Sequence, residues 1–387
     1  MNKKEISEIK KQYTPGRCAI NHICGCYVNG DKEKKAYIKD MFLSLPEEEM
    51  FKYFDIFKKT LSGTLGKNLL NMEFPIECEN YGGTQAFLMQ LRESELKDET
   101  LLNTFYDQII ENYDNNEHYL ILLIHSIYDV PGKTKDNLMM DDASDEAFEY
   151  ISCAICPVKL SKPGLSYQAE LNEFHDRIRD WIVDLPQIGF MFPAFNDRST
   201  DIHSLLYYTK NPEEIQEDLI DQVLGTMRPL TARTQKESFQ TIIEDTLGSD
   251  CDFDTIRNIH DNLNEMMEEM KEEPEPLLLS RHDIQNILEN SGAAPEKMEA
   301  FEETFKESIP EPVPFMASNI ANTRKFEVKT PDITIQINPD RTDLIEERII
   351  DGQRCLVIAV NDSITVNGIS IHSSVQERDI EETEEKS

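Results

Sequence analysis

The chain has 387 residues, enough at about 150 residues per domain for two or three domains and a sizeable core. It carries 39 Lys and Arg against 74 Asp and Glu, a formal net charge of −35. That balance disfavours direct contact with nucleic acid or with an anionic membrane surface. The apolar share is only 39 %, yet 18 Phe and 13 Tyr argue against a wholly disordered chain.

No apolar run approaches the roughly 20 residues of a membrane-spanning helix. The longest central run, Leu120 to Ile124, ends at His125. The opening MNKKEISEIKKQY lacks the apolar stretch of a signal peptide, and the closing EETEEKS matches no lipidation signal. A cytoplasmic protein is expected. Eight cysteines are too sparse for a disulfide framework.

Residues 1–12 read as a short Lys-rich helix that Pro15-Gly16 ends. Residues 18–28 (CAINHICGCYV) read as a strand bounded by Asn29-Gly30-Asp31. Ser44-x-x-Glu47 beside Pro46 suggests a capping box, followed by Met50, Phe51, Phe54, Phe57 and Leu61 at helical spacing. A second helix is expected over about 85–113, then a buried strand over 119–128 (YLILLIHSIY). Asp141, Asp142, Asp145 and Glu146 are expected to start a helix running to Tyr150, since acids favour a helix N-terminus and no calcium-loop glycine is present. Residues 153–208 alternate strand-like stretches with Pro and Gly turns and hold the single tryptophan, Trp181.

The texture changes at Asn211-Pro212. Pro212-Glu213-Glu214 fits a first helical turn, and a run of helices is expected to about Ser308. Gly248-Ser249-Asp250 breaks one helix, residues 254–273 form an acidic one, and Ser280-x-x-Asp283 caps another that ends near Ser291-Gly292. Residues 236–311 hold 21 acids against 6 Lys or Arg. Leu263, Met266, Met267 and Met270 make a stripe read as the inner face of a bundle. Residues 309–314 (IPEPVP) read as a connector. Beyond it, Asp351-Gly352 and Asn367-Gly368 are hairpin turns between apolar strands, so a small antiparallel sheet is expected.

These elements give an α+β chain of four stretches: a mixed domain over 1–210, an acidic helical region over 211–312, a small β-domain over 313–373 and a disordered acidic tail over 374–387.

Chemistry-bearing motifs are sparse. Cys18, His22, Cys24 and Cys26 share one face of a strand, but their ends lie about 26 Å apart at ~3.3 Å per residue, so one ion cannot take all four. Cys153-x-x-Cys156-Pro157 is the weak metal or redox candidate; it lacks a second CxxC and a helix start, which favours core thiols. Residues 63–68 (GTLGKN) miss both the first glycine and the hydroxyl of a phosphate loop and read as a turn.

The best site candidate is the stretch 177–208, with Arg177, Arg179, Asn196, Asp197, Arg198, Asp201 and His203 among Trp181 and several Phe. There Arg198 offers a carboxylate or phosphate clamp, and Asp201 with His203 offers a base and its orienter. No nucleophile elbow surrounds Ser199. A structural loop is the plainer reading, ligand or partner contact the next.

Residues 63–70 (GTLGKNLL), 129–133 (DVPGK), 141–145 (DDASD) and 192–210 (FPAFNDRSTDIHSLLYYTK) resemble an uncharacterised, largely clostridial bacterial family of unknown function, over almost the whole chain. That resemblance implies no activity or catalytic residue. More weakly, residues 332–371 are similar to the C-terminal strands of the bacterial nucleoid-associated protein family, which implies chromosome association and dimers but carries over no site. The expectation is a non-catalytic interaction protein, without cofactor, working through a protein partner or as a homodimer. The alternative is a small-ligand binder or enzyme built around Arg198.

Overall fold

A computed structural model describes residues 1–133, 139–295, 297–298, 301–302, 305, 314–321, 325–360 and 364–371. Most of the connector 309–314 and the whole expected tail 374–387 lie outside the described residues. The chain divides into two units: residues 1–240 with 269–280 and 311–320, and residues 241–268 with 281–310 and 321–387. Both helices and antiparallel sheets are present, so the class is α+β. Among the described residues no helix is long and apolar enough to cross a membrane.

The first unit opens with α1 (Lys3–Lys10), where Asn2 and Glu5 form a capping box. Strands β1 (Ile20–Val28) and β2 (Lys34–Met41) follow. Helix α2 (Glu47–Thr60) starts one residue after Pro46 without a side-chain cap. The expected Ser44 box does not form, because the Ser44 hydroxyl donates backwards to the Met41 carbonyl at 2.6 Å. After β3 (Leu69–Glu73) and the single turn α3 (Ile76–Glu79), the helix expected over 85–113 is two helices, α4 (Thr84–Glu93) and α5 (Glu99–Asn112). Glu95 and Leu96 break it in the left-handed region at φ 51° and 60°, and Asp98 caps α5 by accepting from the Thr100 and Leu101 N–H groups.

Strands β4 (Tyr119–Lys133) and β5 (Met139–Leu160) form a long antiparallel hairpin. One expectation changes here: residues 141–150 are strand rather than helix. Ladder pairing of β5 with β4 overrides the local helix signal of the acids.

Next come β6 (Leu165–Gln168), β7 (Glu173–Asp176), β8 (Trp181–Val183), β9 (Ile188–Phe192), β10 (Ala194–Asn196), β11 (Ser199–Asp201) and β12 (Ser204–Thr209). The main sheet runs β2-β1-β4-β5-β9-β12-β3, with β8 paired to β5, and every pairing is antiparallel.

Both faces of this sheet are covered. Leu88 and Leu91 of α4, Phe105 and Ile109 of α5, and a π-helix at Leu219–Leu224 pack on one face. Ile6 and Ile9 of α1 and Phe54 and Phe57 of α2 pack on the other. Burial on both sides is why residues 119–124 read as a continuous apolar run instead of alternating. Pro212-Glu213 forms a turn, not the expected helix start, and the regular backbone resumes only near the π-helix. The unit is completed by β13 (Leu278–Leu279) paired with β14 (Phe315–Met316) and by the turn α9 at Ala317–Ile320.

The boundary between the units passes through α6 (Ala232–Leu247). The second unit holds most of α7 (Phe253–Glu269) and all of α8 (Arg281–Asn290). Ile259 and Leu263 of α7 and Ile284, Ile287 and Leu288 of α8 are buried there, while Met270 of the expected stripe is exposed. Strands β15 (Phe326–Lys329) and β16 (Thr334–Ile337) pair, as do β17 (Ile345–Ile350) with β18 (Gln353–Ile358) and β19 (Ile364–Val366) with β20 (Ile369–Ile371). Asp351-Gly352 and Asn367-Gly368 turn the last two hairpins with all four residues at positive φ, 50° to 80°, the geometry such dipeptides favour. Among the described residues these strands pair two by two and do not merge into one sheet.

Candidate functional site

The residues singled out between 177 and 208 fall into two separate places. Ser199 and Thr200 contact Glu146 near one end of β5, whereas Trp181 pairs with Leu160 at its other end. Fourteen residues of strand separate them, roughly 45 Å at ~3.3 Å each. Arg177 and Arg179 therefore do not join Arg198. Both are exposed, and Arg179 donates to the Ser161 carbonyl at 2.7 Å.

Residues 194–201 form a hairpin whose turn is Asp197-Arg198, at φ 52° and 57°. Arg198 points at α1. Its Nε donates to Glu8 Oε2 at 3.1 Å, and its Nη2 donates to Glu8 Oε1 and to the Pro131 carbonyl, both at 3.0 Å. Tyr128 also donates to Glu8 Oε1, at 2.9 Å. The guanidinium fork is thus engaged by the protein's own carboxylate and ties the hairpin to α1. A groove beside this tie is lined by Lys11, Arg17, Tyr128 and Arg198 among others.

Asp201 and His203 do not form a base and orienter. Asn196 donates to Asp201 Oδ2 at 2.6 Å, and the His203 backbone N–H donates to Oδ1 at 3.0 Å. Burial alone would raise the Asp201 carboxyl, but hydrogen bonds from Ser204, Asn196 and His203 N–H outweigh it and hold it below its ordinary range. The His203 ring turns instead to Glu79, 2.8 Å from its Nδ1. That hydrogen bond and charge hold the exposed imidazole above its ordinary value.

The cysteine motifs are packing groups. Cys153 belongs to the core on one face of the sheet and Cys156 to the core on the other, as residues three apart on a strand must. They do not share a site, and burial pushes both thiols up. Cys24 and Cys26 are buried under the α4–α5 layer, where desolvation raises each to about 11. Their neighbour His22 has a different fate. Among the described residues, one trio of potential metal ligands comes together: His22, Glu95 and His125, with ligand atoms within 4.8 Å of one another. Glu95 and His125 carried no local motif; the one signal was a histidine interrupting an otherwise apolar strand.

The other feature out of the ordinary is an arm over residues 165–185. It comprises the β6–β7 hairpin and the approach to β8. Tyr167 and Phe174 face each other across it with ring centroids 5.4 Å apart, yet both are exposed. Phe174 is 68 % open, Ile178 79 % and Trp181 51 %, and Leu165 and Leu171 are exposed as well. In all, nine large apolar side chains between 165 and 185 face solvent.

The chain belongs to the family described as Domain of unknown function (DUF4317), which matches residues 1–369. A comparison with curated proteins finds no match.

Proposed function

We propose that this protein is a non-catalytic cytoplasmic interaction protein that pairs with a second copy of itself through the arm 165–185. The observation that carries this reading is the concentration of exposed apolar surface there. Soluble monomers rarely leave large apolar patches open. Nine large side chains at roughly 100 Å² each give about 900 Å², enough for the ~800 Å² per partner of a standard interface.

Charge supports a second copy as the occupant. Residues 159–185 hold four Lys or Arg against five Asp or Glu, leaving −1, while the whole chain carries −35. Two copies meeting through the acidic stretch 236–311 would bring like charges together, whereas the arm meets its own image nearly free of repulsion. A two-fold arrangement also satisfies the rule that one patch serve both partners. The family match lends the nucleoid likeness no support, and the charge disfavours direct DNA contact.

Light scattering on the eluting full-length protein tests the reading. A dimer mass is expected, falling to the monomer mass in Phe174→Glu/Ile178→Glu, whose exposed positions keep the fold intact. A monomer at every concentration, or a dimer indifferent to the double variant, refutes it.

The groove beside Arg198 favours a second reading, an anion binder. Its lining holds five Lys or Arg against three acids, a local excess of positive charge in an acidic chain. Arg198 is tied to Glu8, so Lys11 and Arg17 would carry the recognition. Thermal shift with a panel of anionic metabolites distinguishes the two: stabilisation that Lys11→Ala/Arg17→Ala removes supports it, and no shift rejects it.

A further inference from the structure

His22 on β1 and His125 on β4 are direct partners in the antiparallel register, so their side chains leave the sheet on the same face. Glu95 reaches that face from the left-handed break between α4 and α5. Three elements far apart in sequence thus deliver two imidazoles and a carboxylate to one point, with ligand atoms within 4.8 Å.

The hydrogen-bond accounting at this point is incomplete. His125 is completely buried, and its Nε2 lies 2.8 Å from Glu149 Oε1. Its Nδ1 is buried and has no hydrogen-bond partner among the described residues, and the same holds for His22 Nδ1. An orphaned buried ring nitrogen costs about 1–3 kcal/mol and is rare in a finished core. Two of them beside one carboxylate indicate that something else takes their lone pairs.

We infer that His22, His125 and Glu95 form a binding site for a divalent transition-metal cation such as zinc. Each imidazole supplies Nδ1 and Glu95 supplies one carboxylate oxygen. Glu95 Oε2 lies 2.6 Å from Lys97 Nζ, which leaves Oε1 for the metal. Glu149 is the outer partner of His125, in the carboxylate–histidine–metal arrangement that fixes the ring and its tautomer. Two nitrogens and one oxygen suit zinc or a neighbouring first-row ion better than calcium or magnesium, which prefer all-oxygen sites.

The geometry is close to competent. Ligands on a tetrahedral ion with bonds near 2.1 Å lie about 3.4 Å apart. Closing from 4.8 Å asks for at most about 1.4 Å of side-chain movement, and the Glu95 side chain, 40 % exposed on its loop, can supply it. Three protein ligands leave one position open toward solvent on the Glu95 side, where water or a small anion completes the shell. This site is independent of the arm.

The test uses full-length protein stripped with a chelator and freed of any His tag, titrated with zinc chloride alone against a chromogenic chelator. One tight equivalent is expected, together with a zinc-dependent rise in melting temperature. Cobalt as a spectroscopic probe should give the visible bands of a four- or five-coordinate nitrogen–oxygen site. His22→Ala, at a half-exposed position that tolerates truncation, should weaken zinc at least 100-fold. Glu95→Gln on the loop should weaken it about tenfold, and Glu149→Gln by 10- to 100-fold through the His125 ring. Circular dichroism confirms that the variants fold. No tight equivalent in the wild-type chain overturns the proposal. So does binding of equal strength in folded His22→Ala and Glu95→Gln, which would place the metal elsewhere on this acidic protein.

Discussion

Replacing Arg198 weighs two opposed terms at one residue. Its side chain makes three charge-assisted hydrogen bonds, two to Glu8 and one to the Pro131 carbonyl, with the arginine and Glu8 side chains only 19 % and 15 % exposed. Its backbone sits at φ 57°, a conformation that disfavours any side chain by about 1 kcal/mol. Breaking a buried pair from one side costs about 3–5 kcal/mol, and the remaining exposure here brings the expectation for Arg198→Ala to about 3 kcal/mol. Arg198→Gly loses the same bonds but relieves the left-handed backbone, so it should cost about 2 kcal/mol. Glu8→Gln weakens the same contacts, and the double variant with Arg198→Ala should cost less than the two singles combined.

Urea titration reads this cleanly. Trp181 is the single tryptophan and lies in the first unit, stacked 4.2 Å from His118, so its fluorescence reports that unit alone. At a slope near 3 kcal/mol/M, Arg198→Ala should lower the midpoint by about 1 M and Arg198→Gly by about two thirds of that. Equal losses for Ala and Gly would show that the turn is not strained. A loss below about 0.5 kcal/mol for Ala would show that the pair is solvated and contributes no more than a surface salt bridge.

A thiol reagent should separate the eight cysteines into two sets. Cys18, Cys78, Cys251 and Cys355 are half-buried and should react in the native protein, whereas Cys24, Cys26, Cys153 and Cys156 should react only on unfolding; prompt labelling of either member of the CxxC pair would contradict the two-sided packing of β5. His203 should titrate above its ordinary value of 6.5 because Glu79 holds its proton. The stabilisation from that pair is therefore complete below pH 6.5 and is lost as pH rises through the higher folded value. Glu79→Gln should bring the His203 titration, followed by NMR, back down; an unchanged midpoint would remove Glu79 as the cause.

Local chemistry was legible in the residues themselves. Asp351-Gly352 and Asn367-Gly368 announce their turns because few other dipeptides tolerate two successive positive φ values. The first helix could be read from its Lys-rich pattern, and residues 119–124 announced a strand covered on both faces. Each of these depends on a few consecutive residues, and short-range sterics or burial decides it.

The misreadings share the opposite property. Acids before Tyr150 favour a helix in isolation, but six residues between Ser144 and Tyr150 pair with β4 and make that stretch a strand. The break at Glu95 carries no Gly or Pro, so only packing of α4 and α5 on the sheet explains two left-handed residues there. Asp201 and His203, two apart in sequence, turn to different partners, whereas Glu8 and Arg198, 190 apart, meet. The trio His22, Glu95 and His125 exists only because β1 and β4 pair in one register and the α4–α5 break brings Glu95 to that pair. Side-chain type, charge and turn propensity travel with the sequence. Strand register and the facing of side chains across the sheet arise from pairing over long separations, where one residue of slip sends every side chain to the other face.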